Sequence, residues 1–193
     1  YGIADKAFEK SMAYIETNKV EDPTLEMLII ESYVHYLILH KDVNLAKNLI
    51  LKYLPKFKNI EVDKNKKNQK AISIIRMENN LAKVYIGQVN TTEQELQDAK
   101  IILENHLNVA LSFVEEMWRN YGVEDKVIYS LRYRTLLDYG DLLKRLGKKK
   151  EGLKYKLKAL NFALEKTPLK QHGWAYQDIG QYYHITLNDY GKA

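Results

Sequence analysis

Five histidines and a scatter of carboxylates are the groups in this chain with the chemistry for acid–base or metal work. His35, His40, His106, His172 and His184 show no paired spacing with a glutamate between them, the pattern that a helix-borne zinc site requires. His35 and His40 stand five apart, which places them on different faces of a helix. Glu115 with Glu116 and Asp138 with Asp141 offer paired acids, but such pairs on amphipathic helices are ordinarily surface groups. Gly147-Lys148-Lys149-Lys150 lacks the preceding glycine and the following Ser or Thr of a phosphate loop, and reads as a turn. No Gly-x-Ser-x-Gly elbow is present. Cysteine is absent, which removes disulfides, thiolate metal sites and cysteine nucleophiles together. The expectation is a protein that is not an enzyme and needs neither a metal nor a cofactor.

The elements that would position any functional side chain are helices. Hydrophobic residues make up 46% of the 193 and charged residues 28%, a balance that folds. Three prolines and nine glycines are too few to punctuate many short strands. Apolar residues recur at helical spacing in Ala4, Phe8, Met12 and Ile15, in Ile74, Met77, Leu81 and Tyr85, in Leu136, Tyr139, Leu143 and Leu146, and in Leu153, Leu157, Leu160 and Leu164. Asp22-Pro23 and Thr167-Pro168 read as N-caps with proline in the first turn, and Thr92 with Glu95 as a capping box. Gly122, Gly147 and the stretch 59–68 act as breaks, and Pro55 is expected to end or kink its helix. These signals predict helices near 4–17, 24–40, 43–57, 69–88, 93–120, 125–146, 149–166 and 172–187, with another starting near 190. The lysines of 60–70 mark a mobile loop or an exposed basic contact.

Net charge is +5, concentrated toward the C-terminus: residues 121–193 hold 14 Lys and Arg against 8 Asp and Glu. That surplus suits an acidic partner or a nucleic acid, and is equally the mark of a solvated lysine face. Apolar runs are far shorter than a membrane span, so no membrane contact is expected of this segment, and a cytoplasmic location is the working expectation.

Tyr176, Ile179, Gly180 and Tyr183, followed by Ala193, resemble the first helix and the opening of the second helix of a tetratricopeptide repeat. A second copy lies earlier in Leu136, Tyr139, Gly140 and Leu143, with Gly147 in the turn and Gly152 and Ala159 completing it. Small residues suit these places because a side chain there would push paired helices apart. Weaker copies run through Leu81, Ala82 and Tyr85 before Ala99, and through Ser32 and His35 before Ala46. Their intervals exceed the usual 34 residues. The resemblance implies an all-α fold, a right-handed superhelical solenoid of antiparallel helix pairs. It implies a single domain over 1–193 with pairs at 24–57, 69–120, 125–166 and an incomplete 172–193, and 4–17 as the second helix of a preceding repeat. The chain then reads as a piece of a longer protein.

In that family the first helices line a concave groove. Carried onto this sequence, the lining is Arg76, Asn79 and Lys83, then Arg134, Asp141, Lys144 and Arg145, then Gln177, Gln181 and His184. This polar, mostly basic lining implies a scaffold that holds a protein or an acidic, extended peptide. The family's carboxylate clamp is not expected, because Leu137 and Asp141 occupy two of its places. Two other readings stand beside the scaffold: a peptide-sensing domain of a bacterial signalling or transcription regulator, and nucleic-acid binding through the basic C-terminal third. The second is weakened by the shortage of aromatics around Lys148–Lys158, where only Tyr155 offers a stacking surface. Tyr85, Tyr139, Tyr176 and Tyr183 share apolar stripes and are expected in the core, while Tyr33 and Tyr36 suit either packing or binding.

Overall fold

The computed structural model describes residues 2–18, 20–40, 42–121, 126–166 and 169–187, with side chains described throughout these except at 109–128, 166–171 and 174. Eight α-helices follow in order among the described residues: α1 (Gly2–Thr17), α2 (Pro23–Leu39), α3 (Val43–Asn59), α4 (Lys67–Gly87), α5 (Glu93–Tyr121), α6 (Lys126–Arg145), α7 (Lys149–Lys166) and α8 (Leu169–Gln181). A 3₁₀ turn, Lys64–Lys66, precedes α4, and a π-helical segment, Tyr182–Leu187, continues α8. No strand occurs among the described residues, and no helix there is long and apolar enough to cross a membrane. The Thr167-Pro168 cap, the Gly122 break and the helix expected near 190 lie outside the described residues.

The caps explain the helix starts. The Thr24 N–H and hydroxyl both donate to Asp22 Oδ1, at 3.0 and 2.7 Å, with Pro23 in the first turn, where its missing N–H loses no bond. With the Lys66 ammonium 2.9 Å away as well, the Asp22 carboxyl is held down at about 2. At α5 the Thr92 N–H donates to Glu95 Oε2 and the Glu95 N–H to Thr92 Oγ1, at 2.9 and 3.2 Å, a reciprocal box. The α6–α7 turn closes on Gly147 at φ +78°: its N–H donates to the Lys144 carbonyl and the Lys148 N–H to the Leu143 carbonyl, the two bonds of a Schellman motif.

The chain groups into two compact units, Tyr1–Val84 and Tyr85–Ala193, with the boundary inside α4. In the first, α2 packs on α1 and on α3, and its apolar side chains Met27, Ile30, Val34 and Leu37 are buried. Two acids are buried with them, and each meets a cation: Glu26 pairs with Lys56 of α3, and Glu31 with Arg76 of α4 at 2.9 Å. Phe8 of α1 stacks on Tyr33 at 4.9 Å and tilts against Tyr36, whose hydroxyl donates to Asp5 at 2.6 Å, so both tyrosines serve packing. Of the two outcomes expected at Pro55, the helix does not end there: α3 runs past it to Asn59. Pro55 and Leu51 lie on the exposed side, so the Leu51 carbonyl that loses its i+4 donor faces water, while Tyr53, Leu54 and Phe57 bury the other side. Two lysines around the start of α4 are tie-downs: Lys70 donates to the Lys58 and Ile60 carbonyls and Lys66 pairs with Asp22.

In the second unit α6 packs on α5 and on α7, and α7 on α8. Tyr133, Leu136, Ala159, Ala163 and Ala175 form a core cluster in it, flanked by Leu107, Leu137, Leu160 and Phe162. Two expected stripes are rotated by one residue. On α7 the buried line is Gly152, Lys156, Ala159 and Ala163, and Leu157 and Leu164 of the expected leucine stripe are exposed. On α8 it is Ala175, Ile179, Tyr182 and Thr186, and Tyr176 is 56% exposed instead of in the core. The cause is close approach. A Cβ on Gly140 would lie 2.8 Å from Lys156 Cγ, and one on Gly152 would lie 2.6 Å from the Gly140 carbonyl and collide with the Tyr182 hydroxyl. Small residues face the neighbouring helices, and the bulky leucines turn aside. Ser32, the small residue proposed for the first copy, is exposed, so no close approach occurs there.

Candidate functional site

Lys156 organises the second unit. It sits on α7 between two glycine-lined contacts, is 1% exposed, and reaches carboxylates on both flanking helices. Its Nζ lies 2.8 Å from Asp141 Oδ1 on α6 and 2.9 Å from Asp178 Oδ2 on α8, and donates to Asp178 Oδ1 at 3.1 Å. A buried ammonium needs such partners, since an isolated charge there would be far too costly. Tyr182 closes the cluster: its ring lies 5.7 Å from Lys156 Nζ and 5.8 Å from Lys144 Nζ, and its hydroxyl donates to the Lys149 carbonyl at 2.9 Å.

Burial raises the Asp178 carboxyl above its ordinary range, against the pull of Lys156. The same low-dielectric surroundings push Tyr133 and Tyr182 up to about 12, burial first and the neighbouring aspartates second. The Tyr133 hydroxyl has no hydrogen-bond partner among the described residues. Tyr139 is likewise raised, by burial and by its 2.6 Å hydrogen bond to Glu104 of α5. These groups knit helices together, and Asp141, expected on a binding surface, belongs to them through Lys156.

The opposite side of α8 carries the open feature. Because Ala175, Ile179, Tyr182 and Thr186 turn inward, Tyr176, Gln177, Gly180, Gln181, His184 and Ile185 line a shallow groove of about 460 Å³ on the outside. Three expected binding residues, Gln177, Gln181 and His184, thus come together, joined by Tyr176 and by Ile185, which is 67% exposed. The π-helical winding over Tyr182–Leu187 sets where His184 and Ile185 fall relative to α8, a distortion that recurs at functional sites.

The remaining expected residues stand elsewhere. Arg134 is exposed on α6, Lys144 is exposed with its ammonium near the Tyr182 ring, and Arg145 donates to the Gln88 carbonyl at 2.7 Å. In the first unit Arg76 is paired with Glu31, Asn79 is buried at 7% exposure, and Lys83 is exposed. A larger depression of about 540 Å³ there is lined by residues 59–62 with Lys67, Lys70, Ala71 and Ile74, and Lys70 is spent on backbone carbonyls. Among the described residues no group of His, Asp and Glu is placed to hold a metal ion.

Sequence reasoning missed Lys156 and Asp178, and placed Tyr176 in the core. A signal for the first was present: Lys156 is in register with Gly152, Ala159 and Ala163, a line of small residues that only a buried helix face needs. Comparison with protein-family models, with curated proteins and with solved structures finds no match for this chain.

Proposed function

We propose that this protein is a helical-repeat module of tetratricopeptide type, a solenoid of antiparallel helix pairs, that holds an extended peptide and performs no catalysis. The observation that carries this reading is the α8 groove, where Gln177 and Gln181, one helical turn apart, lie between Tyr176 and Ile185. Each glutamine offers a carbonyl acceptor and an amide donor, the complement of a peptide unit's N–H and C=O. Two of them one turn apart grip main chain without regard to side chain, and the flanking Tyr176 and Ile185 supply apolar contact for one or two side chains of the ligand. The same groove serves a scaffold and a peptide sensor alike.

Selection of peptides from a random library on the immobilised protein tests this reading. Peptides that bind the native chain are expected to lose at least about tenfold in affinity with Gln177→Ala and Gln181→Ala combined. Equal binding by that variant contradicts the groove as the site.

A further inference from the structure

The outward face of α7 carries a second surface, apart from the groove. Gly152, Lys156, Ala159 and Ala163 bury one side of α7 against its neighbours. Directly opposite, Lys150, Lys154, Leu157, Lys158, Asn161 and Leu164 fall at i, i+4, i+7, i+8, i+11 and i+14, a single helical face. All six are exposed, with Leu157 at 36% and Leu164 at 41%. The face is basic in its first half and leucine-bearing in its second.

Its charge is answered only in part from within. From 142 to 165 the sequence places eight cations, Lys144 to Lys158, against two acids, Glu151 and Glu165, the latter exposed on this face seven residues beyond Lys158. Glu151 faces Lys148 at 4.0 Å, and Lys156 is committed to Asp141 and Asp178. Lys150 and Lys154 have no ion pair among the described residues. Lys148, Lys149 and Lys150 moreover stand at the start of α7, where the helix dipole disfavours cations. Local helix stability therefore gives no reason for them, and an anionic partner would.

We infer that this face of α7 docks an acidic amphipathic helix of a partner protein, glutamates or aspartates on Lys150, Lys154 and Lys158 and apolar side chains on Leu157 and Leu164. A nucleic acid fits less well, because Tyr155, the nearby aromatic, is packed edge-on against Tyr139 at 4.6 Å and covered by Lys158. A lipid surface fits less well too, since two half-covered leucines give little to insert.

The test is fluorescence anisotropy with a labelled acidic peptide of about five helical turns, leucines along one stripe and glutamates elsewhere. Single-stranded DNA of equal charge and vesicles rich in phosphatidylserine serve as competing probes. The peptide is expected to bind saturably and more tightly than either. Affinity should fall at least about tenfold in K150E/K154E/K158E, by less in the corresponding glutamine variant, and at least about threefold in L157S/L164S. All substitutions are on exposed positions, and circular dichroism checks that the helices persist. Absence of peptide binding, tighter binding of DNA or vesicles, or an unchanged affinity in L157S/L164S would each overturn the proposal. The groove variants at Gln177 and Gln181 leave this binding intact, so the two surfaces fail or stand separately.

Discussion

Removing the Lys156 ammonium while leaving Asp141 and Asp178 in place strands two carboxylates against the α7 face. Lys156→Met is therefore expected to lower stability by roughly 2–3 kcal/mol, below the range for a fully buried pair because both carboxylates retain contact with water. Urea denaturation measures it, and the triple change K156M/D141N/D178N should recover most of the loss, since no charge then remains unpaired. Asp178 also sets a pH dependence. Its carboxyl is raised by burial, so its contribution is most favourable while it is neutral and declines as pH rises from about 3.9, the unfolded value, through the higher folded one. Relative to the native chain, Asp178→Asn should gain stability across that rise, a trend visible in melting temperatures between about pH 3 and 7. Asp22 has the opposite sign. Its carboxyl is held down at about 2, so its stabilisation is present above about 3.9 and lost as pH falls toward 2, and Asp22→Asn should erase that acid-side loss.

At the scale of elements, Gly152 fixes how closely α6, α7 and the end of α8 approach. Gly152→Ala drives a methyl into the Gly140 carbonyl and the Tyr182 hydroxyl, and should cost about 1–3 kcal/mol in a thermal melt. Pro55→Ala should raise stability by about 1–2 kcal/mol, because α3 continues through that position and alanine restores the missing bond to Leu51. The helices were largely legible in the sequence because their ends are written in local chemistry, at Asp22-Pro23, Thr92 with Glu95, and Gly147. Which face each helix buries was less legible. The leucines Leu153, Leu157, Leu160 and Leu164 form a perfect stripe, yet α7 is packed on two sides at close range, and there Gly152, Ala159 and Ala163 outrank larger apolar groups. The same quarter-turn displaced Tyr176 from the core into the groove. A composition rule sees hydrophobicity, and close helix contact selects for size.

On the scale of the whole molecule, binding surfaces depend on which side chains tertiary packing leaves over. Of the ten residues expected to line a groove, Asp141, Arg76 and Arg145 are held by partners within the chain and Asn79 is buried, whereas Gln177, Gln181 and His184 share one groove. Sequence spacing locates a helix face but does not reveal that Asp141 will pair with the buried Lys156. We propose that the outer side of α8 holds peptide. Amide chemical-shift mapping of the isotope-labelled protein, titrated with a peptide selected on the native chain, tests it most directly. The perturbed amides are expected to cluster at Tyr176, Gln177, Gly180, Gln181, His184 and Ile185; a cluster elsewhere, with these residues unmoved, overturns that proposal.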